Sequence, residues 1–418
     1  GKSLCYQFPA VYLDKTTIVV SPLISLMNDQ LVKMEELGIS TICLNGTVKN
    51  KQKIISNIMQ NKYRIVYTTP EYISGRKDFL TNLYKFGVVC LFAIDESHCL
   101  SHWGCDFRPS YRTLSEIKKL LPDVPMLALT ATATPVVQRD IIKTLGLTNP
   151  LVVKTTFDRP NLKITIRVKT KLKDDLVPIL EDCQTSIVYC QTRKETEKIS
   201  NLLDKCGIKS GTYHAGMGDD EREEIHEEFI NDDIDCIVAT VAFGMGIDKT
   251  IRRVVHYGVP KDIESYYQEI GRAGRDRKPA ECILFYSQGD SGINNYLLSQ
   301  IKNQSYRNYR LKLADRMKRF LYNQTCRRKY ILSYFGEEYQ KDNCGACDNC
   351  LTKNRKTVTR DFSKEGLWFL DAMYKTGNVY GSGIIIDLLR GSNSKRIPQK
   401  YKKLKEYGMG SQYSKDWW

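Results

Sequence analysis

The 418-residue chain carries 63 Lys and Arg against 48 Asp and Glu, a formal net charge of +15 that favours a polyanionic partner. No stretch reaches the apolar length needed to span a bilayer, and the length suits two to four domains, which fits a cytosolic or nuclear multi-domain enzyme. The chain opens with Gly1-Lys2-Ser3, the closing residues of a phosphate loop of the form G-x-x-x-x-G-K-S/T. Backbone N–H groups of such a loop cradle phosphates, the Lys pairs with them and the Ser hydroxyl reaches Mg²⁺. The first glycine is therefore expected upstream of Gly1, and the sequence reads as a fragment.

Apolar strands are expected at residues 17–21, 65–69, 88–94 and 126–130, each ending in a polar residue or turn. Polar groups gathered at strand C-termini are how a parallel doubly wound sheet builds a site. The run at 88–94 delivers Asp95-Glu96-Ser97-His98. Two carboxylates at the end of a strand buried on both faces are costly unless they hold a cation or activate a water; a solvated acidic turn is the plain alternative. Trp103, Phe107 and Arg108 follow. They offer π faces and a guanidinium for unpaired bases, although a Trp and Phe four apart are more often a core pair.

The pattern restarts after Phe157-Asp158-Arg159-Pro160-Asn161, with strands expected at 186–190, 211–214, 236–240, 254–257 and 282–286. The second half of this pattern ends in Gln268-Glu269-Ile270-Gly271-Arg272-Ala273-Gly274-Arg275-Asp276. Gln268, Arg272 and Arg275 are spaced i, i+4, i+7, so a helix would aim all three one way, toward phosphate oxygens. Of 14 cysteines, most are scattered through apolar segments as free thiols of a reducing compartment. Cys326, Cys344, Cys347 and Cys350 instead read as a structural S₄ zinc site, with a redox or cluster motif as the alternative. Helices are expected at 365–373 and 384–389.

These motifs in this order resemble a superfamily 2 helicase, and more narrowly the RecQ family of DNA helicases. Gly1-Lys2-Ser3, Thr69-Pro70-Glu71, Asp95-Glu96-Ser97-His98, Thr130-Ala131-Thr132, Phe243-Gly244-Met245-Gly246-Ile247-Asp248 and Gln268 to Arg275 carry the wider likeness. The segments around Trp103, Phe157 and His214 carry the narrower one, and Tyr407-Gly408-Met409-Gly410 with Trp417-Trp418 looks closest to the Werner-type branch. The resemblance covers nearly the whole chain. It implies an α/β fold of two tandem RecA-like doubly wound parallel-sheet domains (1–155 and 156–290). A helical hairpin with a zinc-binding module (291–355) and a partial winged-helix domain (356–418) follow. The hairpin is expected at 293–322, with Arg307, Arg310 and Lys312 among its basic residues.

It further implies that ATP binds between the RecA-like domains, on Gly1, Lys2, Ser3, Gly246, Asp248 and Arg275. Ser3 and Asp95 would hold Mg²⁺, Glu96 the water, and His98 would relay to the aromatic loop. Arg275 would be the arginine finger, with Arg272 and Gln268 beside it. Nucleic acid would meet Trp103, Phe107, Arg108, Arg159, Asn161 and, at the start of a recognition helix, Ser392, Asn393 and Lys395. A wing hairpin is expected beyond Trp418. Three departures stand out: Ser97 in place of Ala or Cys, a spacing one residue short between Lys249 and Arg252, and Arg277 where glycine is common. The implied activity is 3′–5′ unwinding of single-stranded, forked or structured DNA in the nucleus, during repair, recombination and replication. The alternative is an ATP-driven translocase or remodelling factor with little strand separation, acting on DNA or RNA.

Overall fold

The computed structural model describes residues 1–104, 107–241, 243, 249–352, 360–415 and 417–418, in two compact units, Gly1–Thr352 and Lys353–Trp418. The larger unit contains two all-parallel sheets. The first comprises β1 (Thr16–Val20), β2 (Thr41–Leu44), β3 (Ile65–Thr68), β4 (Val89–Ile94) and β5 (Met126–Ala128), ordered β2-β3-β1-β4-β5. The second comprises β6 (Leu162–Val168), β7 (Ser186–Cys190), β8 (Ser210–Tyr213), β9 (Cys236–Ala239), β10 (Arg253–Tyr257) and β11 (Ala280–Tyr286), ordered β6-β11-β10-β7-β9-β8.

The central strands are near-continuous runs of β-branched and apolar residues because both faces are covered. In register, Val20 lies opposite Thr68 on one side and Ile94 on the other, so three strands end level. Ser21, Thr69 and Asp95 therefore emerge along one edge. The winding reverses between β1 and β4, which opens the crevice where such sheets bind ligands. Two strands were not expected from sequence. One is the four-residue β2; the other is β6, an edge strand whose apolar residues alternate with exposed ones and which pairs along its whole length with β11.

The helical hairpin, Asp290–Ser299 and Gln304–Tyr322, shares a single hydrophobic core with the second sheet and with the cysteine module. Met317 and Phe320 pack there beside Tyr266, Cys326 and Cys347. Arg310 is not a surface cation: it is buried against the fully buried Asp262, Nη2 to Oδ2 3.0 Å. Next to this pair Glu264 is also buried, accepting a hydrogen bond from the Tyr334 hydroxyl at 2.5 Å. Burial and the Asp262 charge push its carboxyl up to about 7. A raised carboxyl pKa means the folded state holds its proton longer, so stability is lost as pH rises from the ordinary carboxylate range toward 7. Glu264→Gln should accordingly stabilise the protein by on the order of 1–3 kcal/mol at pH 8 and by much less at pH 5, read as melting temperature against pH.

One expected helix is shorter than its periodicity implies. The helix carrying Gln268 runs Ile263–Ile270 and stops at Gly271; Arg272 and Arg275 lie on the turn beyond it. Gly274 has a left-handed φ of 57°, and its N–H donates to the Ile251 carbonyl at 2.9 Å while Ile251 bridges Ala273. A helix cannot continue through that bridge. Arg277, the residue standing where glycine is common, has φ 65°, so this turn carries local backbone strain.

In the smaller unit, helices Ser363–Lys375 and Ser382–Leu389 close over Ala372, Ile385, Leu388, Leu389 and Ile397. The expected start of a recognition helix at Leu388 is corrected: the helix ends at Leu389, and Ser392, Asn393 and Lys395 occupy the turn after it. Gly391, with φ 69°, requires that break, because a Cβ there would stand 3.2 Å from the Gly408 Cα. Asn393 and Lys395 are exposed on this turn.

Candidate active site

The helix Leu4–Tyr12 begins directly after Gly1-Lys2-Ser3, placing its N-terminal N–H groups beside the carboxylates that end β4. Lys2 Nζ donates to Glu96 Oε1 at 2.8 Å. Glu96 itself stands at φ 46°, ψ 46°, a conformation unfavourable for a side chain with a Cβ. Its backbone is held by Asp95 Oδ1, which accepts the Glu96 N–H at 2.9 Å, and by the Cys99 N–H on its carbonyl at 2.9 Å. Asp95 is fixed in turn: its N–H donates to the Val20 carbonyl and its carbonyl accepts from the buried Tyr111 hydroxyl at 3.1 Å.

The electrostatics of Asp95 and Glu96 diverge. Burial pushes the Asp95 carboxyl up, and the adjacent Glu96 charge adds to this, against the pull of Lys2 and His98. Burial acts on Glu96 the same way, but the His98 ring and the Lys2 ammonium outweigh it and hold the carboxyl at about 2. Buried His98 Nδ1 lies 3.0 Å from Thr130 Oγ1 and 3.2 Å from Glu96 Oε2. His98 Nδ1 sits between the two, so Glu96 Oε2 has the His98 ring as its polar neighbour while Oε1 takes Lys2. A carboxylate held ionised in this way is suited to take a water or a hydrated cation on its remaining lone pairs.

The opposing arginines are placed differently from each other. Arg272 is buried, its Nε lacking a hydrogen-bond partner among the described residues, whereas Arg275 is exposed and Gln268 half-buried in the last turn of its helix. Gly246 and Asp248 lie outside the described residues. Arg159 and Asn161, expected on nucleic acid, have another task. Arg159 Nη2 donates to the carbonyls of Ala273 and Gly274, both at 2.8 Å, and Asn161 Nδ2 to those of Gly274 and Lys278 at 3.0 and 2.9 Å. These bonds tie both side chains to the turn that follows the helix Ile263–Ile270.

In the aromatic loop, Phe107 packs on His102 with ring centroids 3.9 Å apart, and Arg108 Nη1 donates to the Pro22 carbonyl at 2.7 Å. Trp103 is 42% exposed and meets the edge of Tyr309 at 4.9 Å, with the Tyr309 hydroxyl donating to the Trp103 carbonyl. Trp103 and Phe107 are thus not a mutual core pair. Tyr309, on the helix Gln304–Tyr322, carried no signal in the sequence that it would face this loop.

The sulfurs of Cys326, Cys344, Cys347 and Cys350 lie within 4.8 Å of one another, three of the four residues being buried. A tetrahedral Zn²⁺ with ~2.3 Å bonds to sulfur needs S–S separations of roughly 3.8 Å, so the cluster fits the ion with small adjustments. The hydrogen bond from the Cys326 thiol pulls Cys347 down to about 4, which favours thiolate. Arg327, buried beside it, donates to Asp348 and to the Phe320 and Leu321 carbonyls, anchoring the module to the hairpin.

A Lys and two carboxylates at the strand ends of one parallel sheet, an arginine-bearing turn on a second, and a four-thiolate module are the parts of a nucleotide-hydrolysing helicase core. Four family descriptions match in order: DEAD/DEAH box helicase over residues 1–140, Helicase conserved C-terminal domain over 170–277, RecQ zinc-binding over 288–351 and RQC domain over 356–418. The chain is 44% identical to the putative ATP-dependent RNA helicase R290 of Acanthamoeba polyphaga mimivirus, across all of this chain and 78% of that protein. It is 39% identical to the ATP-dependent DNA helicase RecQ of Haemophilus influenzae, across all of this chain and 68% of the relative. To the mouse bifunctional 3'-5' exonuclease/ATP-dependent helicase WRN it is 42% identical, spanning 32% of that longer protein. The chain belongs to the RecQ family of ATP-dependent DNA helicases. Among solved structures, the helicase MrfA bound to DNA superposes with TM-score 0.56 at 18% identity, covering 79% of this chain and 48% of that one. Saccharomyces cerevisiae Dbp5 bound to RNA and ADP BeF3 gives 0.54 at 17%, covering 75% and 86%. Both likenesses show the fold.

Proposed function

We propose that this chain couples ATP hydrolysis at Lys2, Asp95, Glu96 and Arg275 to 3′–5′ movement along single-stranded DNA and to duplex separation. The observation that carries the reading is Glu96 held between Lys2 at 2.8 Å and His98 at 3.2 Å. In this arrangement His98 and Lys2 together suppress the basicity of Glu96. Phosphate binding draws Lys2 away, and Glu96 then regains affinity for a proton at the moment the water must be activated. Substrate binding and base activation are thus one event. Ser3 and Asp95 would hold Mg²⁺, which would supply positive charge to offset that of the phosphates. Arg275, with Arg272 and Gln268 behind it, stabilises the charge on the transferring phosphoryl group.

The aromatic loop follows the carboxylates within a few residues and rests on the helical hairpin through Trp103 and Tyr309. Stacking of an unpaired base on Trp103 would exchange that contact for one with DNA and report occupancy to His98 and Glu96. Trp103→Ala should leave basal ATP hydrolysis within about twofold and cut its stimulation by single-stranded DNA at least about tenfold, given ~1–3 kcal/mol per stacked base. Equal stimulation in mutant and wild type would remove Trp103 from the DNA path. Asn393 and Lys395, exposed on the turn after Leu389, are offered as backbone contacts for duplex DNA. The relatives include proteins of mouse, yeasts and bacteria; for this chain we favour the nucleus and work in repair, recombination and replication. The function is tested by measuring ATP turnover with single-stranded DNA, RNA and forked DNA in parallel, with DNA expected to stimulate most.

A further inference from the structure

The segment leading into the second sheet is bonded to the turn that carries the arginines. The helix Ile263–Ile270 is followed by a turn, Gly271 to Gly274, whose carbonyls lie beyond the helical ladder. One guanidinium meets three of them: Arg159 Nη1 donates to Gly271 at 3.3 Å, and Nη2 to Ala273 and Gly274 at 2.8 Å each. Asn161 adds donors to Gly274 and Lys278, and fits so closely that a Cβ on Gly274 would stand 2.4 Å from its Nδ2. The planar fork of an arginine can span several carbonyls at fixed angles; a lysine ammonium cannot.

Arg159 is itself held from the other side. Asp158 pairs with buried Arg328 at 2.6 Å, and Arg328 Nη2 donates to the Leu162 carbonyl at 2.8 Å. Phe157 stacks on Phe335 at 4.5 Å, its N–H donates to Glu337 at 2.6 Å, and its carbonyl accepts from Tyr267 at 2.8 Å. Arg328 lies two residues after the zinc-module cysteine Cys326.

We propose that Arg159 is the positioning residue for Arg275, fixing the arginine turn to a strut, Phe157 to Leu162, that Arg328 ties to the zinc module. It acts through Arg275 and touches no nucleotide. The inference rests on the reading of Arg275 as the arginine finger. A turn free to shift by an ångström would lose most of the transition-state contact while substrate binding persists.

The test compares Arg159→Ala, Arg159→Lys, Asn161→Ala, Arg275→Ala and the Arg159→Ala/Arg275→Ala double variant in the whole protein. The readouts are DNA-stimulated ATP turnover, affinity for a fluorescent ATP analogue, and melting temperature. Arg159→Ala and Arg159→Lys should each lower kcat at least about tenfold with nucleotide affinity unchanged, and Asn161→Ala a few-fold. The double variant should be no slower than Arg275→Ala, because a positioning residue has nothing left to position. Wild-type kcat in Arg159→Ala, or losses that multiply in the double variant, would overturn the proposal. If Arg159→Ala melts early, Asn161→Ala decides: a folded protein with undiminished kcat counts against it. Arg275→Ala with full turnover would overturn the reading of Arg275 itself, a distinct outcome.

Discussion

Glu96→Gln should abolish ATP turnover, by about a hundred- to ten-thousand-fold, while ATP binding stays near that of the unaltered protein. The amide preserves the shape of the side chain, including an oxygen able to accept from Lys2, but cannot take a proton from water. Affinity for nucleotide depends on phosphate and metal contacts that the substitution leaves alone. Removing the negative charge also frees Lys2 from a 2.8 Å ion pair, so binding should tighten slightly if it changes at all. Equilibrium binding of a fluorescent ATP analogue beside steady-state hydrolysis checks both halves. Hydrolysis within a fewfold of the unaltered rate would remove Glu96 from the chemistry.

Cys347→Ser has the second large effect. A closed S₄ site contributes metal-binding free energy to folding, and a serine hydroxyl is a poor replacement for a thiolate that the Cys326 hydrogen bond favours against the cost of burial. Loss is expected to reach on the order of several kcal/mol, with one zinc per chain in the unaltered protein and far less in the variant. The damage should not stay local, since Cys347 bridges Ile164 of β6 and belongs to the core of the second sheet. Metal analysis and limited proteolysis together test this. Iron in the pure protein, or a variant as protease-resistant as the original, would contradict the assignment.

Sequence reading located the carboxylate edge because each flanking strand is a dense apolar run that ends abruptly: Val20 before Ser21-Pro22, Ile94 before Asp95. β2 carried no such mark, being four residues long, and β6 alternates in a way that merged with the segment before it. The spacing of Gln268, Arg272 and Arg275 satisfied helical periodicity, yet periodicity cannot register the bridge between Ile251 and Ala273 that ends the helix at Ile270. Arg159 shows the limit most clearly. Its carbonyl partners lie more than a hundred residues away in sequence, and only the fold brings them together. Arg310 likewise reads as a surface cation until Asp262 is placed beside it.

The measurement that bears most directly on the account is strand separation by the whole protein on DNA duplexes bearing a 3′ or a 5′ single-stranded tail, with ATP turnover followed in the same samples. The account predicts unwinding of the 3′-tailed duplex only, dependent on ATP and absent in Glu96→Gln. Vigorous ATP hydrolysis without strand separation on either duplex, or separation that survives Glu96→Gln, would contradict it.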